Sequence, residues 1–401
     1  MRWKMNVWTL AIGVTFTASS YTMLVPFLPM YLLDIGVSEK SVAMWSGAIF
    51  SVSFLVAALL APFWGKMADK HGKRLMALRA GFCLGAVYFL GAFVNSPEQL
   101  FVVRILQGLA NGFFPACLAI ASSSAPKEKL GFSLGLIQTG QIIGTVMGPL
   151  LGGAIAHFTG MRFSFILAGV VLFGVTAMVA FLVKEPPGMP GKAVEGTILD
   201  DLKYAANNRV LREMLLLSFT VYLTNMVLQP VIALYIAQLQ GSMEGVMLTS
   251  GIVFSLGGIA GAFSTTFWGA LGQRKGFTKV MVYAFLGAGI FNLLQFFPAS
   301  VMGFAILQFL FGLFIVGVNP AISATMVTVT EPSFRGRVFG LATTANQSGA
   351  MVGPLVGGAV STAFGIKYVF LLTGPLLVFL GIMVYYRYVV PPKQSLHDSK
   401  I

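Results

Sequence analysis

The stretch GPLLGG at positions 148–153 recurs 205 residues later as GPLVGG at positions 353–358. A second match, FWG, stands at 63–65 and again at 267–269. Two matches at nearly the same offset indicate an internal duplication, and building a membrane protein from two repeated helical units is a recurrent plan. The duplication predicts an N-terminal half, a polar linker, a C-terminal half and a tail, at 1–183, 184–212, 213–390 and 391–401 respectively.

The composition is that of a membrane protein. Of the 401 residues, 57% are hydrophobic and only 10% are charged, whereas a soluble domain has about 25% charged residues. A helix needs about 20 apolar residues to cross a hydrocarbon core of about 30 Å, and it satisfies its own backbone polar groups there. Twelve apolar segments predict an all-α polytopic membrane protein, with spans at about 8–32, 43–65, 75–95, 99–121, 131–156, 162–183, 213–238, 247–271, 279–298, 301–326, 336–361 and 366–388.

The basic residues determine the predicted orientation. The net charge is +13, which on a soluble chain would suggest a nucleic-acid partner. All but four of the 26 Lys and Arg residues fall on one side of the predicted membrane, and the exceptions are Lys40, Arg104, Arg162 and Lys367. Because cytoplasmic loops carry such an excess, we predict a multi-pass plasma-membrane protein with both termini cytoplasmic and no nucleic-acid partner.

The segment between the second and third spans carries a GxxxDxxG pattern. It reads GKMADKHGKR at 65–74, where Gly65 and Gly72 would allow a tight reversal of the chain. Asp69 is a carboxylate among cations such as Lys73 and Arg74, and it could pair with an arginine or lie at a helix N-terminus. The alternative is an ordinary basic cytoplasmic loop, but the pattern at this place between two spans is more specific than that.

The fourth span contains a charged residue near its start. Arg104 opens the pattern RxxxGxxxG with Gly108 and Gly112, and a charge inside a span is by default a functional hypothesis. The alternative is that the side chain snorkels, because Arg104 lies about five residues, roughly 8 Å, from the outer end of the span. The sequence leaves both interpretations open.

The fifth span has a glycine at every fourth position. These glycines are Gly140, Gly144, Gly148 and Gly152. They form one smooth stripe on a helix, which favours close packing, and Pro149 can kink that helix. The stripe ends in the pair Gly152-Gly153, and the eleventh span repeats the ending. Generic small-residue packing explains the stripe but not the same GPxxGG ending at matching positions of both halves.

Taken together, these three motifs resemble those of the major facilitator superfamily. The segment 65–74 is similar to the signature of that superfamily, and 104–112 resembles its RxxxGxxxG motif. The segment 140–153 resembles the GxxxGPxxGG motif of the twelve-span drug:proton antiporters, and the stretches 24–29 and 44–47 resemble the MdtG-type multidrug resistance proteins among them. The likeness covers nearly the whole chain. In the second half the motifs differ, because Gln273 stands at the position equivalent to Asp69 and Gln308 at the position equivalent to Arg104.

The resemblance implies a fold and an activity. The fold would be the major facilitator fold, with 12 transmembrane helices in two pseudo-symmetric six-helix halves. The activity would be proton-coupled efflux of small amphiphilic compounds or drugs by a monomer, without a cofactor. The alternative within transport is a dedicated exporter or facilitator of a single metabolite, sugar or lipid. This step from fold to function is an analogy.

The resemblance also raises the question of proton coupling. Antiporters of this family usually couple through a carboxylate in the membrane, yet none of the thirteen acidic residues lies in the middle of a predicted span. Asp34 ends the first span on the outer side, and Arg104 enters the fourth from the same side. We therefore hypothesise that Asp34 and Arg104 approach each other near the outer mouth, with Asp69 at the cytoplasmic signature. The alternative is that Asp34 is a solvated boundary residue.

In the family fold the first, fourth, seventh and tenth spans line the substrate cavity. On these spans the candidates are aromatic, Met and neutral amide residues, namely Tyr21, Met23, Asn111, Phe114, Tyr222, Asn225, Gln229 and Asn319. Such a lining suits varied amphiphiles, and the absence of a central acid argues against a strict requirement for cations. For each residue singly, helix packing or hydrogen bonding is the simpler interpretation.

Enzymatic and metal-dependent functions find little support in the sequence. Cys83 and Cys117 have no CxxC spacing, and His71, His157 and His397 are scattered, so no metal site is predicted. The sequence has no GxxxxGK[ST] motif for a nucleotide. A membrane enzyme would need converging acidic, basic or metal-binding groups, which the spacing of these residues does not predict.

Overall fold

The computed structural model describes residues 2–126, 129–184, 198–331 and 334–390, and these residues form helices and turns without a strand. The predicted spans correspond to helices that are named TM1 to TM12 in chain order. Their bounds are Arg2–Leu24, Val25–Phe27 and Leu28–Asp34 (TM1), Val42–His71 (TM2), Lys73–Gly91 (TM3), Pro97–Ala110 and Phe113–Ser124 (TM4), Leu130–Thr159 (TM5), Met161–Leu182 (TM6), Arg209–Leu228 and Ile232–Gln240 (TM7), Val246–Lys275 (TM8), Phe277–Leu294 (TM9), Val301–Ile315 and Val318–Thr328 (TM10), Arg335–Phe364 (TM11), and Tyr368–Val384 and Tyr385–Val389 (TM12).

Eleven of these segments in the described ranges are both long and apolar enough to cross a membrane. TM11 is the remaining one. At 30 residues it is as long as TM5, but it has only two Leu or Ile residues where TM5 has nine, and it begins with Arg335 and Arg337. TM11 carries the second GPxxGG ending at the same position in the helix at which TM5 carries the first. We therefore count TM11 as the twelfth span, and the prediction of an all-α polytopic membrane protein is confirmed.

The predicted reversal between TM2 and TM3 is wrong in one respect. TM2 continues as a helix through Gly65 to His71, and TM3 begins at Lys73. The chain reverses at Gly72 alone, whose φ of 98° is open to glycine but strained for other residues. Gly65 is therefore a helical residue, and the 65–74 signature is the last turns of one helix and the first of the next.

Part of the predicted linker is helical. Residues 185–197 and the tail at 391–401 lie outside the described residues. Ile198–Asn207 forms a short helix before TM7. On this helix, Asp201 makes an ion pair with Arg337 of TM11 at 3.2 Å, so the end of the linker is attached to the C-terminal half.

Glycine stripes bring pairs of helices into close contact inside each half. A Cβ added at Gly140 of TM5 would lie 2.6 Å from the Ala11 carbonyl oxygen of TM1, and one at Gly353 of TM11 would lie 2.5 Å from the Leu223 carbonyl oxygen of TM7. Each stripe therefore lets one helix rest directly on the backbone of another. The buried apolar residues form two clusters, one drawn almost entirely from the first six spans and one from the last six.

The two halves meet through TM2 with TM11 and through TM5 with TM8. The last glycine of each GPxxGG ending faces the other half, since a Cβ at Gly153 would meet Met247 and one at Gly358 would meet Ala43. These residues lie toward the end predicted to be outside, which is called the outer end below. Further along the same helices, Gly269 has nothing within 4 Å of an added Cβ. The described helices are thus closed against each other at the outer end.

Candidate functional site

Four helices are interrupted within the membrane, and they are the four on which the cavity candidates lie. TM1 is interrupted at Val25–Phe27, TM4 at 111–112, TM7 at 229–231 and TM10 at 316–317. The apolar segments predicted these spans as continuous helices, so the interruptions are a correction. Irregular backbone at membrane depth is tolerated only where it is buried in protein or lines a cavity, and paired broken helices mark substrate sites in transport folds.

The TM4 interruption is stabilised by an arginine of TM3. Gly112 has φ of 122°, and Asn111 uses its Oδ1 to accept the Gly112 N–H at 2.7 Å. The Arg79 guanidinium donates to the Leu109 carbonyl at 3.2 Å and to the Asn111 carbonyl at 2.7 Å. Its central carbon lies 3.6 Å from the centre of the Trp64 ring. From the sequence, Arg79 counts only among the cytoplasmic basic residues, because spacing does not reveal its partners.

Arg104 does not reach the surface of the protein. Its side chain is 2% exposed, so the snorkelling alternative does not describe this structure. It donates to Gln107 Oε1 at 2.6 Å, and Gln107 Nε2 in turn donates to the Tyr88 hydroxyl at 2.9 Å. Its Nε and its second terminal nitrogen are buried without a hydrogen-bond partner, and the Phe50 ring lies 5.6 Å away. Arg104 is therefore an incompletely satisfied cation inside the first half.

Asp34 and Arg104 do not meet in this structure. Both residues are described, and no ion pair joins them. Asp34 is exposed at the end of TM1, where the basic residue that acts on it electrostatically is Arg162 of TM6. Arg104 is buried about seven residues, or roughly 10 Å, along TM4 from its outer end. The distance between an outer boundary and a buried position explains why they stay apart.

The basic residues of the 65–74 signature join TM3 to two other helices. Lys73 donates to the Ala119 carbonyl of TM4 at 3.4 Å, and Arg74 donates to the Ala180 carbonyl of TM6. Both contacts lie at the cytoplasmic end of the first half. Asp69 lies within TM2, but its side chain lies outside the described part of the structure, so its predicted role stays a prediction.

Most of the eight cavity candidates have partly accessible side chains. Asn111 is exposed, and the half-buried candidates are Tyr21, Phe114, Tyr222, Asn225, Gln229 and Asn319. Gln229, at the TM7 interruption, has a buried Oε1 without a hydrogen-bond partner. Met23 is the exception and a correction, because it is only 5% exposed and packs against Gly152 of TM5. Met23 is a helix-packing residue in this structure.

A separate cavity opens at the outer end and involves none of these candidates. Its volume is about 660 Å³, and it lies where the TM1–TM2 connection approaches the ends of TM7 and TM11. The polar residues in its wall are Glu39, Lys40, Gln238, Ser242, Ser361 and Thr362. In the described ranges, no group of His, Cys, Asp and Glu residues is arranged to hold a metal ion.

A buried carboxylate at the cytoplasmic end of the second half is a functional group that the sequence alone did not predict. Glu213 is 7% exposed near the start of TM7. It pairs with Arg209 at 3.2 Å and with Arg387 of TM12, and it accepts from the Tyr388 hydroxyl. Arg209 was visible as the residue four positions away on the same helix. Arg387 and Tyr388 are more than 170 positions away, and only the fold brings them close.

Two similar helical bundles, with interrupted helices at equivalent positions, are a plan that recurs among membrane transporters. The chain belongs to the Major Facilitator Superfamily, whose family description matches residues 10–264 and 214–400. It is 35% identical to the uncharacterized MFS-type transporter YuxJ of Bacillus subtilis (strain 168), over 91% of this chain and 94% of that one. It is 30% identical to the multidrug resistance protein MdtG of Yersinia enterocolitica, over 96% of this chain and 94% of that one.

A solved structure agrees on the fold. The crystal structure of the nucleoside transporter NupG superimposes with a TM-score of 0.79 over 96% of this chain and 99% of that one, at 15% sequence identity. At this identity the likeness concerns the fold alone. The predictions of family and fold class are confirmed, and the chain is a multi-pass membrane transporter for small molecules.

Proposed function

We propose that this transporter exports small amphiphilic compounds, drugs among them, from the cytoplasm in exchange for protons. In this proposal it acts as a monomer in the plasma membrane, with both termini cytoplasmic. The observation that carries the proposal is the 30% identity to MdtG, a multidrug resistance protein, over 96% of this chain. The superfamily contains transporters of very different substrates, so the substrate class needs support from the residues themselves.

The side chains on the interrupted helices favour amphiphiles. They offer aromatic rings at Tyr21, Phe114 and Tyr222 and amide groups at Asn225 and Gln229. An apolar lining with a few polar groups accepts molecules of varied shape. Among the described side chains of TM1, TM4, TM7 and TM10, the acidic ones are confined to the helix ends, whereas Arg104 is buried within TM4. This charge distribution favours neutral, zwitterionic or anionic amphiphiles over a strict requirement for cations.

Proton coupling in this proposal depends on the outer end of TM1. Asp34 follows the interruption at Val25–Phe27 by a single short helix, Leu28–Asp34. A change of angle at the interruption would move Asp34 relative to Arg104 while the rest of TM1 stays in place. Arg104 has two nitrogens without partners, so a carboxylate that approached it would gain charge-assisted hydrogen bonds. In the proposed cycle, protonation of Asp34 from outside weakens that attraction and biases the equilibrium between conformations.

The test uses purified protein in liposomes with an imposed pH gradient and a fluorescent amphiphilic drug. Exchange of one proton for one neutral substrate should support about tenfold accumulation per pH unit, because one unit corresponds to about 1.4 kcal/mol. A protonophore added midway should release the accumulated drug. Uptake that does not depend on the pH gradient would contradict the proposed proton coupling. Absence of transport for every drug in the panel would favour the dedicated exporter of one metabolite, sugar or lipid instead.

A further inference from the structure

The interruptions of TM4 and TM10 stand at equivalent positions in the two halves. The first reads NGFFP at 111–115 and the second reads VGVNP at 316–320. In a continuous helix, each carbonyl accepts from the N–H four residues later. Pro115 and Pro320 have no N–H, so the carbonyls of Asn111 and Val316 have no helical donor. Each half therefore needs some other group to satisfy the backbone at this point of the membrane.

In the first half that group is a charged side chain. Arg79 donates to the Asn111 carbonyl, which Pro115 cannot serve, and to the Leu109 carbonyl, which Phe113 would serve in a continuous helix. The guanidinium fork matches two neighbouring carbonyls, and its positive charge lies at the negative C-terminal end of the helix Pro97–Ala110. Its face rests on the Trp64 ring. A cation held in this way is well suited to keep the two parts of TM4 apart.

In the second half a neutral side chain donates at the same turn, but to the Leu313 carbonyl and not to that of Val316. The residue equivalent to Arg79 is Ala284, which cannot donate. Trp268, the counterpart of Trp64, donates its own Nε1–H to the Leu313 carbonyl at 2.6 Å. The Gly317 N–H bonds to the Phe314 carbonyl instead of Leu313, and a Cβ at Gly317 would lie 2.7 Å from the Trp268 ring. The same tryptophan position thus acts directly in one half and through Arg79 in the other.

We propose that Arg79 and Trp268 are positioning residues for transport, and that they hold TM4 and TM10 in their interrupted form. This proposal rests on the transport function proposed above. In its interrupted form TM4 exposes Asn111, and in TM10 Asn319 follows Gly317 by two residues. Without the Arg79 guanidinium, the Leu109 and Asn111 carbonyls would lose these donors. The segment would then shift so that the Phe113 N–H serves the Leu109 carbonyl, although Pro115 still leaves the Asn111 carbonyl without a helical donor. The Asn111 side chain would change its direction.

The first test reads the geometry of TM4 without any substrate. In a chain carrying Cys83→Ala and Cys117→Ala, Asn111→Cys provides a single thiol at the interruption. We expect Arg79→Met to change the labelling rate of this thiol by a water-soluble maleimide at least fivefold, with Arg79→Lys intermediate because one ammonium keeps the charge but not the fork. Equal labelling rates in all three chains would overturn the proposal. Because this test needs no substrate, it separates failure of this inference from failure of the proposed efflux function.

The second test separates positioning from general stability. In liposomes, Arg79→Met should raise the KM for an amphiphilic drug severalfold in the native chain but hardly at all in an Asn111→Ala chain, since residues that act as a unit are non-additive. Additive effects would show that Arg79 does not act through Asn111, and would overturn that part of the proposal. Trp268→Phe keeps an aromatic ring, though a smaller one, and removes the N–H that bonds to Leu313. It should lower the transport rate without a comparable loss of thermal stability. An unchanged rate would contradict the role of Trp268.

Discussion

The Ser51 hydroxyl of TM2 donates to the Met351 carbonyl of TM11 at 2.5 Å and so joins the two halves of the transporter. The equivalent serine of the second half, Ser255 of TM8, donates to the Val146 carbonyl of TM5 at 2.8 Å. Both acceptors lie three residues before the proline of a GPxxGG ending. The two hydrogen bonds are therefore a symmetric pair that holds the outer end closed.

Removing this pair should shift the transporter toward its outward-facing state. Polar contacts between membrane helices contribute on average about 0.6 kcal/mol each, so Ser51→Ala combined with Ser255→Ala should change the equilibrium about eightfold. Spin labels at the exposed positions Lys40 and Lys367, on opposite halves at the outer end, would report a larger population of long distances. Ser46→Ala is the matched control, because the Ser46 hydroxyl bonds to Val42 within TM2. An unchanged distance distribution in the double variant would show that these serines do not latch the outer end.

A methyl group at the contact between TM8 and TM5 should have a larger effect. A Cβ at Gly251 would lie 3.2 Å from the Pro149 carbonyl carbon, closer still to its oxygen, and 3.2 Å from the Gly153 Cα. Backbone atoms cannot move aside as a flexible side chain can, so Gly251→Ala should force the outer ends apart and lower the transport rate at least tenfold. Gly269→Ala in the same helix adds a methyl group that meets nothing within 4 Å and should transport normally. Equal rates in the two variants would mean that the closed contact is not required for the cycle.

The Glu213 cluster predicts a loss of stability in the second half. Hydrogen bonds to charged groups contribute about 1.5–3 kcal/mol, but the Arg387 and Arg209 side chains are 43% and 68% exposed, so solvent screening reduces the total. We expect Glu213→Gln to lower the free energy of unfolding by about 1–3 kcal/mol and Tyr388→Phe by about 1 kcal/mol, since the tyrosine loses one hydrogen bond. Thermal unfolding in detergent would measure both. Glu244→Gln, at an exposed position, is the control. If the Glu213→Gln and Glu244→Gln variants had the same melting temperature, the prediction would be contradicted.

Hydropathy was sufficient to predict the helices, but not where they are interrupted. The twelve spans follow from apolar length and from the distribution of basic residues, which are properties of each segment alone. The interruption at Asn111-Gly112 depends on Arg79 and Trp64, which lie on two other helices. Pro115 was the available signal, because it removes the donor for the Asn111 carbonyl, but a proline alone does not distinguish a kink from an interruption.

The sequence predicted which helices carry the candidate site, but it was less successful in predicting which residues contact each other. The repeat placed the glycine stripes correctly, since a stripe is a property of one helix. Pairing Asp34 with Arg104 assumed that two residues on the same side of the membrane lie at the same depth, and the burial of Arg104 shows that they do not. Met23 was assigned to the cavity from its residue type alone. In the structure it packs against the glycine stripe of TM5, which a single-helix pattern cannot reveal.

Replacing the buried Arg104 should have opposite effects on stability and on transport. Its Nε and one terminal nitrogen are buried without partners, and replacing an incompletely satisfied buried charge by an apolar side chain of similar length is often neutral or stabilising. Arg104→Met should therefore leave the melting temperature in detergent unchanged or raise it, while gradient-driven uptake of the drug is lost. Function retained at the cost of stability is a known trade-off. A melting temperature well below that of the native chain would indicate that Arg104 is a structural residue.

Asp34 is the residue on which the proton-coupling proposal depends most directly. It is exposed at the outer end, within the electrostatic reach of Arg162, and a single interruption of TM1 separates it from the rest of that helix. Asparagine has the same shape but cannot exchange a proton, so Asp34→Asn should lower uptake against a pH gradient at least tenfold. It should leave exchange of labelled for unlabelled drug, which needs no proton, near the native rate.

Glu39→Gln, five positions away at the same outer end, controls for a general loss of negative charge, and Asp34→Glu should restore part of the coupled uptake. If Asp34→Asn retained full coupling, Asp34 would be a solvated boundary residue. The proton would then have to be carried elsewhere, and Asp69 would become the next carboxylate to test by the same two assays. If Asp34→Asn instead lost exchange and uptake together, Asp34 would act in opening the outer end and not in proton transfer.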